Sequence, residues 1–203
     1  MSEVLKKKMI NRMNGSERQT PKDRVSTINN SFVQGVIPHA LSSEDEIDKF
    51  LKCFPETNGK WDCIYCGTSE ATTIDHLHSL VEDGLPSGYY DEINNFVPSC
   101  GTCNSSKSGS HWKEWLDGQK IKTGDKKKVA KPDEAIIRVE KFLAVFTPSQ
   151  VSFPGIANDA GVGDVYKNYI EIQKKIASLM EEADSLGTEI CKEINKYLKE
   201  KNK

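Results

Sequence analysis

No stretch of this 203-residue sequence approaches the roughly 18 consecutive apolar residues that a membrane-spanning helix needs. No apolar run of signal-peptide length follows the N-terminal MSEVLKKKMI, so a cytoplasmic location is the expectation. Net charge is also nearly absent, at −2, which excludes a protein that is basic throughout. Hydrophobic residues make up 36% and charged residues 29%, enough apolar material for a buried core and unlike a disordered chain.

The near-zero total conceals an uneven distribution. Residues 1–39 hold seven Lys/Arg against three Asp/Glu, and residues 96–141 hold ten against six. Between them, residues 40–95 hold three against twelve. Two basic segments around an acidic one suit a chain that meets a polyanion locally and a cation in between, although solvated surface has the same signature.

Four of the six cysteines form two C-x-x-C pairs, Cys63/Cys66 and Cys100/Cys103, with 33 residues between the pairs. Each pair places two thiolates on a tight turn, and two such knuckles complete a four-sulfur site for structural Zn²⁺. A disulfide framework fits poorly with a cytoplasmic chain, and a redox pair would not need a second copy. A DNA-reading finger with two cysteines and two histidines is also a poor fit: His76 follows Cys66 after only nine residues, and a single residue separates it from His78. Cys53 and Cys191 have no partner in the pattern and read as free thiols.

The segment between and after the knuckles carries Asp75-His76, Asn94-Asn95, Asn104 and Lys107. Thr72-Thr73-Ile74 is β-branched and predicts a strand ending at Asp75-His76. Gly84, Pro86, Ser87 and Gly88 predict a loop, and Asn95-Phe96-Val97-Pro98 a returning strand. A helix is expected to start near Cys103, to carry Trp112, Trp115 and Leu116 on its apolar side, and to stop at Gly118.

Cys63-x2-Cys66, Asp75-His76, and Asn95-Phe96-Val97-Pro98-Ser99-Cys100-x2-Cys103-Asn104-x2-Lys107 together resemble the HNH endonucleases in their zinc-stapled form. The resemblance covers about residues 61–110. It implies an α+β fold, a ββα-metal core stapled by the four cysteines, here with helical flanks and a long C-terminal helix. It implies that His76 is the general base that deprotonates water and that Asn95 holds this base through its backbone carbonyl. It implies that Asp75 and Asn104 bind one catalytic divalent cation, Mg²⁺ or Mn²⁺, and that the partner is double-stranded DNA. Lys107, one helical turn after Asn104, could contact a phosphate. His78 and His111 are further candidate phosphate contacts, with polar surface as the plain alternative; His111 would share a helical face with Asn104 and Lys107.

Outside this core, Ser43 and Glu46 have capping-box spacing before a short helix over residues 42–54, with Ile47, Phe50, Leu51 and Phe54 apolar. Residues 119–132 are lysine-rich, and Pro132-Asp133 opens a helix expected to reach Phe146. From Val165 to Ile190, apolar residues alternate spacings of four and three, the pattern of a coiled coil or of a long helix folded onto its own chain; Gly187 is a candidate break. The expected organisation is a basic N-terminal arm over 1–40, the nuclease domain over 41–118, and a lysine-rich linker with a helical region over 119–203. The activity expected is metal-dependent hydrolysis of DNA phosphodiesters, most like a type II restriction endonuclease, with a homodimer through the C-terminal helix. The alternatives are a homing, phage-type or non-specific nuclease of the same family, a zinc module that only binds nucleic acid or protein, or a coiled-coil adaptor.

Overall fold

The computed structural model describes residues 3–13, 19–39, 41–56, 59–68 and 71–201. Residues 14–18, inside the expected N-terminal arm, lie outside the described set. Contacts divide the chain into two units, residues 33–166 and a second made of residues 1–32 with 167–203.

In the second unit, α1 (Glu3–Met13) and most of α2 (Val25–Gln34) are helical. They accompany most of α8 (Gly163–Lys201), a helix of 39 residues that runs through Gly187 unbroken. Phe32 and Tyr169 rings meet at 4.9 Å, and the Tyr169 hydroxyl donates to the Phe32 carbonyl oxygen at 3.1 Å. Gln173 is buried and donates to Asn29 Oδ1. Leu179, Leu186, Ile190, Ile194 and Tyr197 on α8 stay exposed. Among the described residues no helix is long and apolar enough to cross a membrane.

The unit over 33–166 holds the small sheet. Helix α3 (Glu44–Cys53) has the expected capping box: Ser43 Oγ accepts from the Glu46 N–H, and the Ser43 N–H donates back to the Glu46 side chain at 2.8 Å. Phe50 is its buried residue. Strand β1 (Thr73–His76) pairs antiparallel with β4 (Phe96–Ser99) in the register Thr73↔Ser99 to His76↔Phe96. Between them, β2 (Val81–Glu82) and β3 (Leu85–Pro86) form a hairpin where the sequence suggested only a loop. Asp83 and Gly84 turn it with φ of 49° and 78°, a two-residue turn matching the twist of its strands.

The single helix expected after Cys103 is instead two, α4 (Gly101–Lys107) and α5 (Trp112–Lys120). Ser108, at φ 51°, turns the backbone out of the helix, and Gly118 sits inside α5 rather than ending it. Helix α6 (Pro132–Leu143) ends three residues before Phe146, and α7 (Phe153–Asp159) follows. The lysine-rich stretch before α6 is not a free linker: Val129 is fully buried, and Gln119 Oε1 accepts from the Lys128 N–H at 2.8 Å.

The main core joins Phe50, Tyr65, Trp112, Trp115, Leu116, Val139, Phe142 and Phe146. Burying an aromatic or Leu side chain contributes about 1.5–3 kcal/mol, and Val97 of β4 and Leu77, just past β1, belong to the same cluster.

Candidate active site

The cysteine knuckles fold by local rules. Gly67, at φ +74°, completes the first, with its N–H on the Cys63 carbonyl and the Cys63 N–H on the Thr68 carbonyl, both at 2.8 Å. The Ile64 N–H donates to the Pro98 carbonyl oxygen, tying this knuckle to β4. Arg138 on α6 donates to the carbonyls of Ile64 and Tyr65, each at 2.7 Å, so a flanking helix clamps the knuckle from outside. In the second knuckle Cys100 caps α4, its sulfur accepting from the Cys103 N–H.

The two knuckles converge. The four Sγ atoms lie within 4.8 Å of one another, with Cys66 and Cys100 3.8 Å apart. Four sulfurs on a tetrahedral zinc at 2.3 Å would stand about 3.8 Å apart, so the donor set and its spacing fit Zn²⁺. Hydrogen bonding from Cys103 pulls the Cys63 thiol down, and the same bond pushes Cys103 up.

Strand alternation sorts the Asp-His pair. Asp75 points into the core and His76 outward, its imidazole 34% exposed. Lys107, on α4, is only 1% exposed and reaches across to this strand. Its Nζ donates to the His76 carbonyl oxygen at 2.8 Å and lies 3.1 Å from Asp75 Oδ2. The Tyr65 hydroxyl donates to the same carboxylate at 2.7 Å. Burial, then the charge of Asp75, pushes the Tyr65 phenol well up, so it remains the donor. Burial pulls the Lys107 ammonium down, and the Asp75 carboxylate opposes that.

Asn95, fully buried, braces the chain just past His76. Its Oδ1 accepts from the His78 N–H at 2.8 Å, its Nδ2 donates to the His78 carbonyl at 2.9 Å, and its own carbonyl accepts from the Leu77 N–H. Lys107 thus holds the His76 carbonyl and Asn95 the two residues after it, while the His76 ring stays 34% exposed.

Two further contacts involve residues that the spacing pattern did not single out. His76 Nε2 lies 2.8 Å from Asp91 Oδ1, and Asp91 Oδ2 lies 2.5 Å from His39 Nδ1. His39 also bridges Asp91 through the backbone, 52 residues along the chain. Burial raises the Asp91 carboxyl, but the bonds from His76 and His39 outweigh it and hold the group below the usual carboxylate range.

Residues 63–110 match the family model described as HNH endonuclease. Over that segment, about a quarter of the chain, it is similar to the HNH endonucleases. A nuclease or nucleic-acid-related function follows from that family in general terms. No curated protein and no solved structure matches the chain.

The HNH residues expected from sequence are not all disposed as the resemblance implies. Lys107, expected at a phosphate, is enclosed by Asp75 and the His76 carbonyl, because α4 lays it against the inner face of β1. Asn104 donates to Thr73 Oγ1 at 3.3 Å, one strand repeat away from Asp75. Asp75 and Asn104 are therefore on one face of β1, yet the Asp75 carboxylate is given to Tyr65 and Lys107 and does not fit an open site for a hard cation, which keeps several waters. Asn95 holds the chain through His78 and Leu77, whereas the His76 carbonyl is taken by Lys107. His111 does not share the α4 face, because the Ser108 turn intervenes; it precedes α5, its ring 5.7 Å from that of His78. His78 stacks on Tyr89 at 4.3 Å, and burial, then the charges of His111 and Lys107, lowers it to about 4.

Proposed function

We propose that the chain is a DNA endonuclease in which His76 is the general base. The observation that carries this reading is the combination of a backbone gripped by Lys107 and Asn95 with an open imidazole at the end of β1. A general base needs this: a fixed ring, reachable by water and by one phosphodiester at a time. His76 takes a proton from water as the water oxygen bonds to phosphorus and the bond to the leaving 3′ oxygen breaks. The leaving oxygen takes a proton from solvent, giving 3′-hydroxyl and 5′-phosphate ends.

The four cysteines would hold Zn²⁺, which supplies folding free energy rather than chemistry. A catalytic Mg²⁺ or Mn²⁺ on Asp75 and Asn104, as the family resemblance implies, would have to take the carboxylate from the Lys107 ammonium. The exposed lysines 122, 126 and 128 on the strapped loop before α6 suit duplex phosphates. Restriction-type specificity is the subclass we favour, since segments on both sides of the HNH domain are available for base readout. The exposed apolar residues of α8 support self-association, which would match a palindromic target.

The test is supercoiled-plasmid nicking by the full-length protein, with and without Mg²⁺ or Mn²⁺, beside His76→Ala. The variant should keep its zinc and lose nicking. Cutting equal to the parent would overturn the reading in favour of a zinc module that only binds. Discrete mapped ends would support restriction-type specificity, and a smear would exclude it. Sedimentation of the full chain beside Leu186→Glu tests self-association.

A further inference from the structure

His76 and Asp91 lie within the matched segment and His39 outside it, and among the described residues only the cysteine quartet gathers as a metal-type cluster. A carboxylate held below its usual range is ionised near neutral pH and can only accept hydrogen bonds. Both ring nitrogens facing Asp91 must therefore carry hydrogen: Nε2 of His76 and Nδ1 of His39. If Nε2 of His76 carries the proton in the neutral ring, Nδ1 carries the lone pair. No described group bonds that Nδ1.

We infer that Asp91 is a positioning residue for His76, fixing the Nε2-protonated tautomer so that Nδ1 is the proton acceptor, and that His39 fixes Asp91 in turn. This rests on the reading of His76 as the base. A carboxylate bonded at one oxygen can still swing about its last torsion. Bonded at both oxygens by rings from two distant segments, it cannot. His39 is held there by the backbone bridge to residue 91, although its side chain is 73% exposed. Asp91 itself is 25% exposed, so its bond to His76 competes with water less than it would at a fully exposed carboxylate. The His76 and Phe96 rings meet edge to face with centroids 5.3 Å apart, so the ring is restrained by packing as well as by the bond. The geometry offers the imidazole one orientation and one tautomer before any DNA arrives.

The test uses the full-length protein labelled with ¹⁵N-histidine, with His76→Ala and His39→Ala assigning the signals. At neutral pH the parent should show His76 as the Nε2–H form. Asp91→Ala should give a mixture of tautomers, and Asp91→Glu should restore the parent form in part. In plasmid nicking, Asp91→Ala should lower kcat by roughly 10- to 100-fold, less than removal of a general base, with the half-saturating DNA concentration unchanged. His39→Ala should show a smaller loss of the same kind. Asp91→Asn, nearly the same shape, guards against misfolding, which thermal melts of every variant would reveal. An unchanged tautomer and rate in Asp91→Ala, with His76→Ala inactive, overturns the positioning role and leaves the base in place. If His76→Ala cuts like the parent, the base assignment falls, and the tautomer spectra still decide whether Asp91 orients the ring.

Discussion

The ammonium of Lys107 donates to the carbonyl oxygen of His76 at 2.8 Å while lying 3.1 Å from the carboxylate of Asp75. One buried cation thus ties together both halves of the Asp-His pair. The pair sits at the end of β1, in register with Val97 and Phe96 of β4, and a side chain from α4 supplies a donor to the His76 carbonyl.

Lys107→Met keeps the length of the side chain and removes the charge. Asp75 would then be a buried carboxylate with Tyr65 as its remaining donor. Breaking a buried pair in this way costs about 3–5 kcal/mol. Urea unfolding should show a loss in that range, and Lys107→Met with Asp75→Asn together should recover part of it.

Metal removal gives the second expectation. One zinc per chain should be found by elemental analysis of the purified protein. A structural zinc contributes on the order of 10–16 kcal/mol of apparent binding free energy near neutral pH. Chelation or Cys103→Ser should therefore unfold the unit over 33–166, seen as loss of near-ultraviolet dichroism, whereas Cys191→Ser should leave it intact because that thiol is exposed and outside the quartet.

Acid stability gives the third. His78 has a folded value of about 4, against roughly 6.5 when unfolded. Between those values the unfolded chain binds a proton that the folded chain refuses, so stability is complete above about 6.5 and falls as pH drops toward 4. His78→Gln should flatten the slope of unfolding free energy with pH across that window. The Asp91 carboxyl, held low, adds its own loss only further down.

The cysteine spacing was legible because a knuckle is built from neighbouring residues: two sulfurs, a glycine at positive φ, and a few local bonds. The strand ending at His76 was legible from its β-branched lead-in. The division of α4 from α5 was not, since Ser108 adopts a turn conformation usually left to glycine, and Gly118 is tolerated inside a helix. The placement of Lys107 was not legible for a different reason. Spacing placed it one turn beyond Asn104, but which way a lysine goes depends on a carboxylate 32 residues away. His39 and Asp91, 52 residues apart, carry no periodic signal at all. They meet beside a backbone bridge between residues distant in sequence.

The convergence of the two cysteine knuckles has a mechanical consequence. With zinc in place, the chain enters the insert at Cys66 and leaves it at Cys100 through the same four-sulfur knot. Tension carried along the chain from one side of the knot to the other bypasses the β2–β3 hairpin. The segment bearing Asp75, His76, Asp91 and Asn95 becomes a slack ring that can be pulled upon only after sulfur lets go of the metal.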